Sequence, residues 1–453
     1  MNVFKSIFPY SQQLIAEYPL MDNKAIDEAL AKTAKAYTHW SGQSFACRAA
    51  VLVKAAAILR NQKDELATLI TNEMGKVIAE AKAEVEKCAW VCEYYAENAE
   101  LFLQEGPIDA GYYRSFITYE PIGAVLAIMP WNFPFWQVFR FAAPTLMAGN
   151  VGLLKHAPNV TGCSLAIQKI FEEAGAPEGV FQSLVINITE VEKIVAADIV
   201  QAVTLTGSEL AGTSVGMLAG KYIKKSVLEL GGSDALIVLA DADVEKAATV
   251  AIQSRMLNAG QSCIASKRFI VEQSIEAEFV HQLELQIGKL KQGNPFDSTI
   301  TTGPMARIDL AQELEKQMQL SIKSGAVLKL GGEVEGANFR PSMLLNVKKG
   351  MATFEEEAFG PLASVISVAN ENDAITLANQ SRYGLGGSIW TKDVEKGIAL
   401  AMRINSGAVF VNSLVKSDPR LPFGGIKKSG YGRELGRHGI LEFVNAKTIA
   451  AEI

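Results

Sequence analysis

Short apolar segments that alternate with helical stretches constrain the fold of this chain more than any other feature of its sequence. The apolar runs that suit strands cover residues 124–129, 151–154, 184–186, 202–205 and 235–239. Residues 163–174 and 191–196 between them have helical character. Continuous apolar strands are buried on both faces, as happens in a parallel sheet covered by helices. We therefore predict an α/β fold around a parallel sheet.

A second series of elements indicates a second lobe. Helices are predicted at 244–258 and 282–290, and strands at 269–271, 363–368 and 408–411. A chain of 453 residues, 49% of them hydrophobic, is long enough for two sizeable lobes.

The residues before the first apolar run have a different character. Apolar positions three and four apart predict helices through 22–104, with Gly75 as a helix stop. Residues 112–119 alternate instead, and predict a strand that ends at Pro121 and lies outside the main sheet.

Composition excludes several classes of partner. The formal net charge of -6 comes without a basic stripe, so we expect neither nucleic acid nor membrane as a partner. Residues 1–15 lack the apolar core of a secretory signal, and the five scattered cysteines suit reduced thiols, so a cytoplasmic protein is expected. Cys88 and Cys92 have the spacing of a metal pair on a helix, but two buried helix residues are the favoured interpretation, and no metal site is predicted.

Several short segments are unusual for residues that only pack. They are residues 130–134 (PWNFP), 228–232 (LELGG), 260–263 (GQSC), 356–361 (EEAFGP), 422–425 (PFGG) and 429–434 (SGYGRE). In this order they resemble the aldehyde dehydrogenase superfamily over nearly the whole chain. The resemblance implies an α/β fold with a Rossmann-type cofactor domain, an α/β catalytic domain and a small oligomerisation segment of strands.

That resemblance also implies domain boundaries and assembly. The cofactor domain would comprise residues 1–108 and 122–231, and the catalytic domain residues 232–430. Residues 109–121 and 431–453 would form the oligomerisation segment, so a homodimer or homotetramer is expected.

Three residues are implied to perform the chemistry. Cys263 would attack the aldehyde, and a thiolate exposed in its small-residue loop is a good nucleophile toward a carbonyl. Asn132, between two prolines, would stabilise the oxyanion. Glu229 ends an apolar strand, where a carboxylate is costly without a task, and would activate the water that hydrolyses the thioester.

A nicotinamide cofactor, NAD or NADP, is implied by a further set of residues. A strand-to-helix turn at Gly207 and Ser208, followed by Gly212, suits a phosphate by itself, although this signal alone is weak. The implied cofactor-binding residues are Trp131, Lys155, Gly207, Ser208, Gly212, Leu230, Glu357 and Phe359. Pro158 stands where many NAD-preferring members carry a glutamate, so both cofactors are expected to bind with a modest preference.

Within the superfamily, the chain looks most like the succinate-semialdehyde dehydrogenases. Arg140 and Ser417 match the residues that contact the distal carboxylate of the substrate there. An unpaired guanidinium among aromatic residues favours a carboxylate ligand, whereas a salt bridge to a structural acid is the alternative. Leu257 stands where some relatives have a second arginine, with Arg255 close by.

One alternative function stays open, and three others are disfavoured. The open one is an aldehyde dehydrogenase for another small aldehyde, including a neutral one. A CoA-acylating enzyme usually lacks the glutamate found here at 229, and a thiol hydrolase would need a histidine near Cys263. A noncatalytic protein on the same fold would not need Asn132, Glu229 and Cys263 together.

Overall fold

A computed structural model describes residues 3–453, and these form helices and strands in the α/β order that the sequence predicts. The α-helices are α1 (Asn23–Trp40), α2 (Phe45–Asn61), α3 (Lys63–Met74), α4 (Ile78–Phe102), α5 (Trp136–Met147), α6 (Thr161–Glu173), α7 (Val191–Ala196), α8 (Glu209–Lys221), α9 (Val244–Met256), α10 (Glu276–Gly288), α11 (Ile308–Lys323), α12 (Ala352–Glu355), α13 (Glu371–Asn379), α14 (Val394–Ala401) and α15 (Gly436–Leu441). The strands are β1 (Val3–Phe8), β2 (Gln13–Pro19), β3 (Gly106–Pro107), β4 (Arg114–Pro121), β5 (Ala124–Met129), β6 (Val151–His156), β7 (Phe181–Ser183), β8 (Val200–Thr206), β9 (Lys225–Glu229), β10 (Asp234–Val238), β11 (Ser266–Glu272), β12 (Val327–Leu330), β13 (Val334–Glu335), β14 (Asn338–Phe339), β15 (Ser342–Leu345), β16 (Leu362–Val368), β17 (Gly386–Trp390), β18 (Ala408–Val411), β19 (Gly430–Tyr431) and β20 (Val444–Ala451).

Local capping explains where the first helices begin and end. The Asp22 carboxylate accepts the Ala25 N–H at 2.8 Å, which satisfies an otherwise free donor in the first turn of α1. Helix α3 ends at Gly75, whose φ of 78° is left-handed and whose N–H donates to the Thr71 carbonyl. The predicted helical region and its stop at Gly75 are therefore confirmed.

The first large sheet has the order β19-β9-β8-β5-β6-β7. Strands β5 to β9 are parallel, and only the short β19 runs against its neighbour. Its edge strand corrects one prediction, because β7 covers Phe181–Ser183 and residues 184–186 follow it. The polar side chains of Gln182 and Ser183 disguise this strand, since they are satisfied by contacts with α1 and α6.

The second sheet has the order β12-β15-β16-β11-β10-β17-β18 within residues 3–453. Strands β15 to β18, with β10 and β11, pair in parallel, and β12 is antiparallel at the edge. The apolar run at 235–239 belongs here, as β10, and not to the series that starts at residue 124. Its neighbour β17 comes only after β11 to β16 in the sequence, so a local pattern cannot assign β10 to its sheet.

A third sheet has the order β20-β4-β3 and is antiparallel. The predicted strand at 112–119 is found as β4, which ends at Pro121 and stands outside both large sheets. Across the described part of the chain, no helix combines the length and apolar character needed to cross a membrane. Cys88 and Cys92 are both fully buried in α4.

Candidate active site

The carboxyl ends of the parallel strands of the first sheet converge on one edge. His156 ends β6, Thr206 ends β8 and Glu229 ends β9. In open α/β sheets, ligands bind beyond this edge. Residues 230–233 lead directly from it into the second sheet, so the candidate site lies where the two sheets are joined.

The loop before Cys263 has a left-handed backbone. Asn258 and Ala259 have φ values of 55° and 50°, and Gly260 follows at 73°. A Cβ on Gly260 would lie 2.3 Å from the backbone of Gly360, so only glycine fits there. Consecutive left-handed residues other than glycine are uncommon and are found where the surrounding structure holds them, often at functional sites.

Hydrogen bonds from two directions hold this loop. The Asn258 side-chain amide donates to the Asn132 carbonyl at 2.7 Å, and its backbone N–H donates to the Glu80 carboxylate at 3.0 Å. The Asn132 side-chain amide donates to the Gln261 carbonyl at 3.0 Å. The proposed oxyanion residue and the nucleophile loop therefore form one hydrogen-bonded unit.

Arg255 joins the Cys263 loop to residues 358–362. The buried guanidinium donates to the Gly260 carbonyl at 3.2 Å, the Ala358 carbonyl at 2.6 Å and the Leu362 carbonyl at 2.7 Å, and also to Gly360. Arg255 is 0% exposed and is absent from the lining of the cavity described next. It therefore does not replace the second substrate arginine that some relatives place in this region.

A cavity of about 330 Å³ opens beside Cys263. Phe133, Trp136 and Phe423 provide much of its apolar wall. Its polar side chains are those of Glu80, Glu84, Lys87, Gln137, Arg140, Ser262, Lys416, Ser417 and Asp418. The predicted residues Cys263, Arg140 and Ser417 thus share one cavity, whereas Asn132 and Glu229 do not line it.

Burial governs the acidity of Cys263. The residue is partly exposed, but burial of its sulfur raises the pKa to about 12, against a smaller lowering by Lys267. Cys263 nevertheless lines the cavity, where a substrate could reach it. Nucleophilic attack therefore requires removal of the thiol proton.

Lys267 holds the backbone of the nucleophile loop through hydrogen bonds. Its buried ammonium donates to the Ser262 carbonyl at 2.7 Å and to the Cys263 carbonyl at 2.5 Å, and lies 3.3 Å from the Glu357 carboxylate. Sequence analysis missed this residue, although a lysine four positions after the cysteine, at the start of a buried strand, was a usable signal.

His156 fixes the loop that carries Asn132. Its Nε2 lies 2.9 Å from the Pro134 carbonyl, and its Nδ1 lies 3.1 Å from the Met129 carbonyl and 3.0 Å from the Ala157 N–H. Burial lowers the histidine pKa to about 4. A neutral imidazole therefore links the end of β6 to the PWNFP segment.

Glu229, Glu434 and Arg140 form a buried charged cluster. Arg140 makes an ion pair with Glu434, donates to the Thr206 hydroxyl at 3.3 Å and lies 4.5 Å from the Phe423 ring centre. The expectation of an unpaired Arg140 is therefore wrong, because its partner comes from a segment 294 residues further along the chain. Burial, and then the charge of Glu434, raise the pKa of Glu229 well above its ordinary value.

The residues expected to bind the cofactor lie along the sheet edge. Ser208 caps α8 by accepting the Ala211 N–H, and Gly212 lies against Leu230, where a Cβ would come within 2.5 Å of the leucine side chain. Glu357 accepts the Gly232 N–H at 3.0 Å.

Three more of these residues surround the same edge. The Trp131 and Phe359 rings meet edge to face at 5.8 Å. Lys155, at the end of β6, donates only to the neighbouring His156 carbonyl at 3.3 Å. Within residues 3–453 its ammonium has no ion-pair partner, so protons remain available for a ligand's oxygen atoms.

Comparison with known proteins identifies the family of the chain. The model of the aldehyde dehydrogenase family matches residues 2–449. A probable succinate-semialdehyde dehydrogenase (NADP(+)) of Synechocystis sp. is 50% identical over 441 residues, covering 97% of this chain and 96% of that protein. Succinate-semialdehyde dehydrogenase (NADP(+)) 1 of Mycobacterium tuberculosis is 44% identical over 450 residues and 98% of each chain.

A solved structure has the same architecture. Succinic semialdehyde dehydrogenase from Streptococcus pyogenes, in complex with NADP+, superposes with a TM-score of 0.97 at 36% identity, covering 99% of this chain and 100% of that one. The family model and these relatives cover nearly all of the sequence, and the predicted fold class is confirmed. The chain belongs to the aldehyde dehydrogenase family.

Proposed function

We propose that this protein oxidises succinate semialdehyde to succinate with NADP+ or NAD+ as the oxidant. The observation that carries the proposal is the single cavity that holds the Cys263 thiol together with Arg140 and Ser417. The relatives that are named succinate-semialdehyde dehydrogenases support the proposal. The apolar walls of the cavity favour the alternative substrate, another small and neutral aldehyde.

The chemistry assigned to Cys263 has three stages. The deprotonated sulfur adds to the aldehyde carbon, and the oxygen becomes an oxyanion that Asn132 and the Cys263 N–H stabilise. Loss of hydride from that carbon leaves a thioester on the sulfur. Water then attacks the thioester, Glu229 takes the proton from that water, and the carboxylic acid leaves as the thiol is restored.

Two adjustments are needed before this chemistry proceeds. The Asn132 amide donates one of its two N–H groups to the Gln261 carbonyl and does not line the cavity, so it must move for the other N–H to reach the oxyanion. Glu229 must lose its proton, which its raised pKa opposes until the carboxylate reaches water. Its Oε1 has no hydrogen-bond partner among residues 3–453, so no contact at that atom resists the movement.

The residues at the sheet edge fit a dinucleotide. Lys155 offers donors to ribose hydroxyls, the turn at Ser208 offers the start of α8 to a phosphate, and Glu357 lies by the approach to Cys263. Trp131, Gly207, Gly212, Leu230 and Phe359 complete the proposed binding surface. A bound nicotinamide would supply the acceptor for the hydride. Pro158 places no negative charge beside Lys155, which is compatible with the 2′-phosphate of NADP+.

The domain roles and assembly are also proposed. The cofactor domain comprises residues 1–108 and 122–231, the catalytic domain 232–430, and the oligomerisation segment 109–121 and 431–453. The exposed third sheet supports assembly as a homodimer or homotetramer. A cytoplasmic location is part of the same proposal.

The proposal is tested with two aldehydes and both cofactors. Succinate semialdehyde and butyraldehyde have four carbons each and differ in the distal carboxylate. We expect kcat/KM for the acid to exceed that for butyraldehyde by about 100-fold or more, as a charge-assisted interaction gives. NADP+ and NAD+ should both support turnover, and Cys263→Ala should show none. Equal values for the two aldehydes would favour the neutral-aldehyde alternative.

A further inference from the structure

Lys87 lies in the wall of the cavity, at the side where Arg140 and Ser417 are found. It belongs to α4, a helix that holds none of the catalytic or substrate-binding residues expected from the sequence. Its ammonium lies 4.0 Å from the Trp136 ring centre and donates to the Ser417 hydroxyl at 2.7 Å. Sequence analysis gave no sign of it.

The other charges around Lys87 are already paired. Glu84, one turn earlier in α4, makes a buried ion pair with Lys76. Asp418 is held by Arg420 through contacts of 2.7 and 2.8 Å. Arg140 is compensated by Glu434, and Lys416, which also lines the cavity, is exposed to solvent.

Lys87 itself has no carboxylate partner within 4 Å among residues 3–453. Glu80 also lines the cavity, but it lies seven residues away on α4, about 10 Å along the helix axis, and accepts the Asn258 N–H. A partly buried cation without a counterion is costly. Of the cations in the cavity wall, Lys87 is therefore the one that is both partly buried and without an ion pair.

The hydroxyl group of Ser417 can also donate a hydrogen bond to a ligand in the cavity. Its oxygen accepts from the Lys87 ammonium at 2.7 Å and from the Trp136 indole N–H at 3.1 Å. A hydroxyl has two acceptor lone pairs and one proton, so both lone pairs are used and the proton is left to donate. No protein acceptor for that proton is found in residues 3–453. An anion in the cavity would receive it.

We propose that Lys87 is a substrate-binding residue that, together with the Ser417 hydroxyl, holds the distal carboxylate of the substrate. This proposal rests on the proposed function, and it names the group that selects acidic aldehydes. Arg140 lies on the same wall, but much of its charge is directed to Glu434, whereas the charge of Lys87 is available to the ligand.

Replacement of Lys87 by methionine tests the proposal. The methionine keeps an unbranched side chain against Trp136, so the substitution removes only the charge and its hydrogen bond. We expect Lys87→Met to raise KM for succinate semialdehyde by about 30-fold or more and to change kcat/KM for butyraldehyde by less than about threefold. Lys87→Arg should retain most of the preference for the acid.

Lys82→Met is the matched control. Lys82 lies on the same helix, and its replacement removes the same charge, but its ammonium is on the surface and pairs with Asp64. The kinetics of this variant should match the wild type. Inhibition by succinate, measured against the aldehyde, gives a second readout, and its inhibition constant should rise in Lys87→Met but not in Lys82→Met.

The outcomes separate this inference from the proposed function. If the wild type prefers succinate semialdehyde and Lys87→Met keeps that preference and the succinate inhibition, Lys87 does not bind the carboxylate and the proposed function stands. If the wild type shows no preference for the acid, the proposed function fails first. An equal loss of kcat/KM for both aldehydes in Lys87→Met would show that the lysine has a structural role and would also overturn the inference.

Discussion

At the scale of single residues, burial changes the protonation of several groups in the site. Burial, followed by the charge of Arg140, lowers the pKa of Lys87 to about 8. The groups that face it are Glu84 and Cys88 on its own helix, Arg140 on α5 and Asp418 on the loop after β18. A lysine with this pKa is charged below about pH 8 and neutral above it.

The preference for acidic aldehydes should therefore depend on pH. We expect the ratio of kcat/KM for succinate semialdehyde to that for butyraldehyde to be constant well below pH 8 and to fall as pH rises through it. Taking the ratio cancels the titration of groups that serve both substrates, such as Cys263 and Glu229. Lys87→Arg should keep the ratio high above pH 8, because a guanidinium stays protonated there. A wild-type ratio that stays flat from about pH 6 to about pH 10 would contradict a role for the charge of Lys87.

The same scale shows what the sequence could and could not reveal. Cys263, Asn132 and Glu229 stood out because each lies in a segment that packing alone does not explain. The partner of Arg140 could not be found in this way, since Glu434 reaches it only after the tail folds back against the first sheet. Lys87 lies in an ordinary helical pattern, and its isolation from counterions is a property of the assembled cavity.

At the scale of elements, the periodic pattern predicted most helices and buried strands well. The periodic pattern failed to locate or assign a strand where tertiary contacts, and not the local sequence, determine the structure. Strand β7 contains polar residues that other elements satisfy, and β10 has the same apolar character as the strands of either sheet. The left-handed turn at Asn258 was equally hidden, because neither Asn258 nor Ala259 requires that conformation by itself.

Arg255 shows how one side chain supports two loops of the site. Arg255→Met should leave the carbonyls of Gly260, Ala358 and Leu362 without the Arg255 donor, whereas the Gly360 carbonyl keeps the Leu362 N–H. Each buried acceptor without a partner costs about 1–3 kcal/mol, and the costs are not additive, so a loss of several kcal/mol in the free energy of unfolding is expected. Urea unfolding measures it, with the exposed Arg307→Met as the control. Arg255→Lys should retain only part of this free energy, since an ammonium lacks the planar arrangement of donors of a guanidinium. An unchanged urea midpoint would show that the loops hold each other without Arg255.

At the scale of the whole molecule, the third sheet explains why we expect an oligomer. Strand β20 pairs with β4 along one side only, and most of its eight residues are exposed at the edge of the sheet. A long edge strand with unpaired N–H and C=O groups is a surface for pairing with another chain. We expect light scattering to give two or four times the monomer mass. Lys447→Pro, on β20, would remove an N–H and disturb the strand, and should shift the mass toward the monomer, whereas Lys329→Pro on the edge strand β12 of the second sheet should leave the mass unchanged. A monomeric wild type would show that this edge is left unpaired in solution.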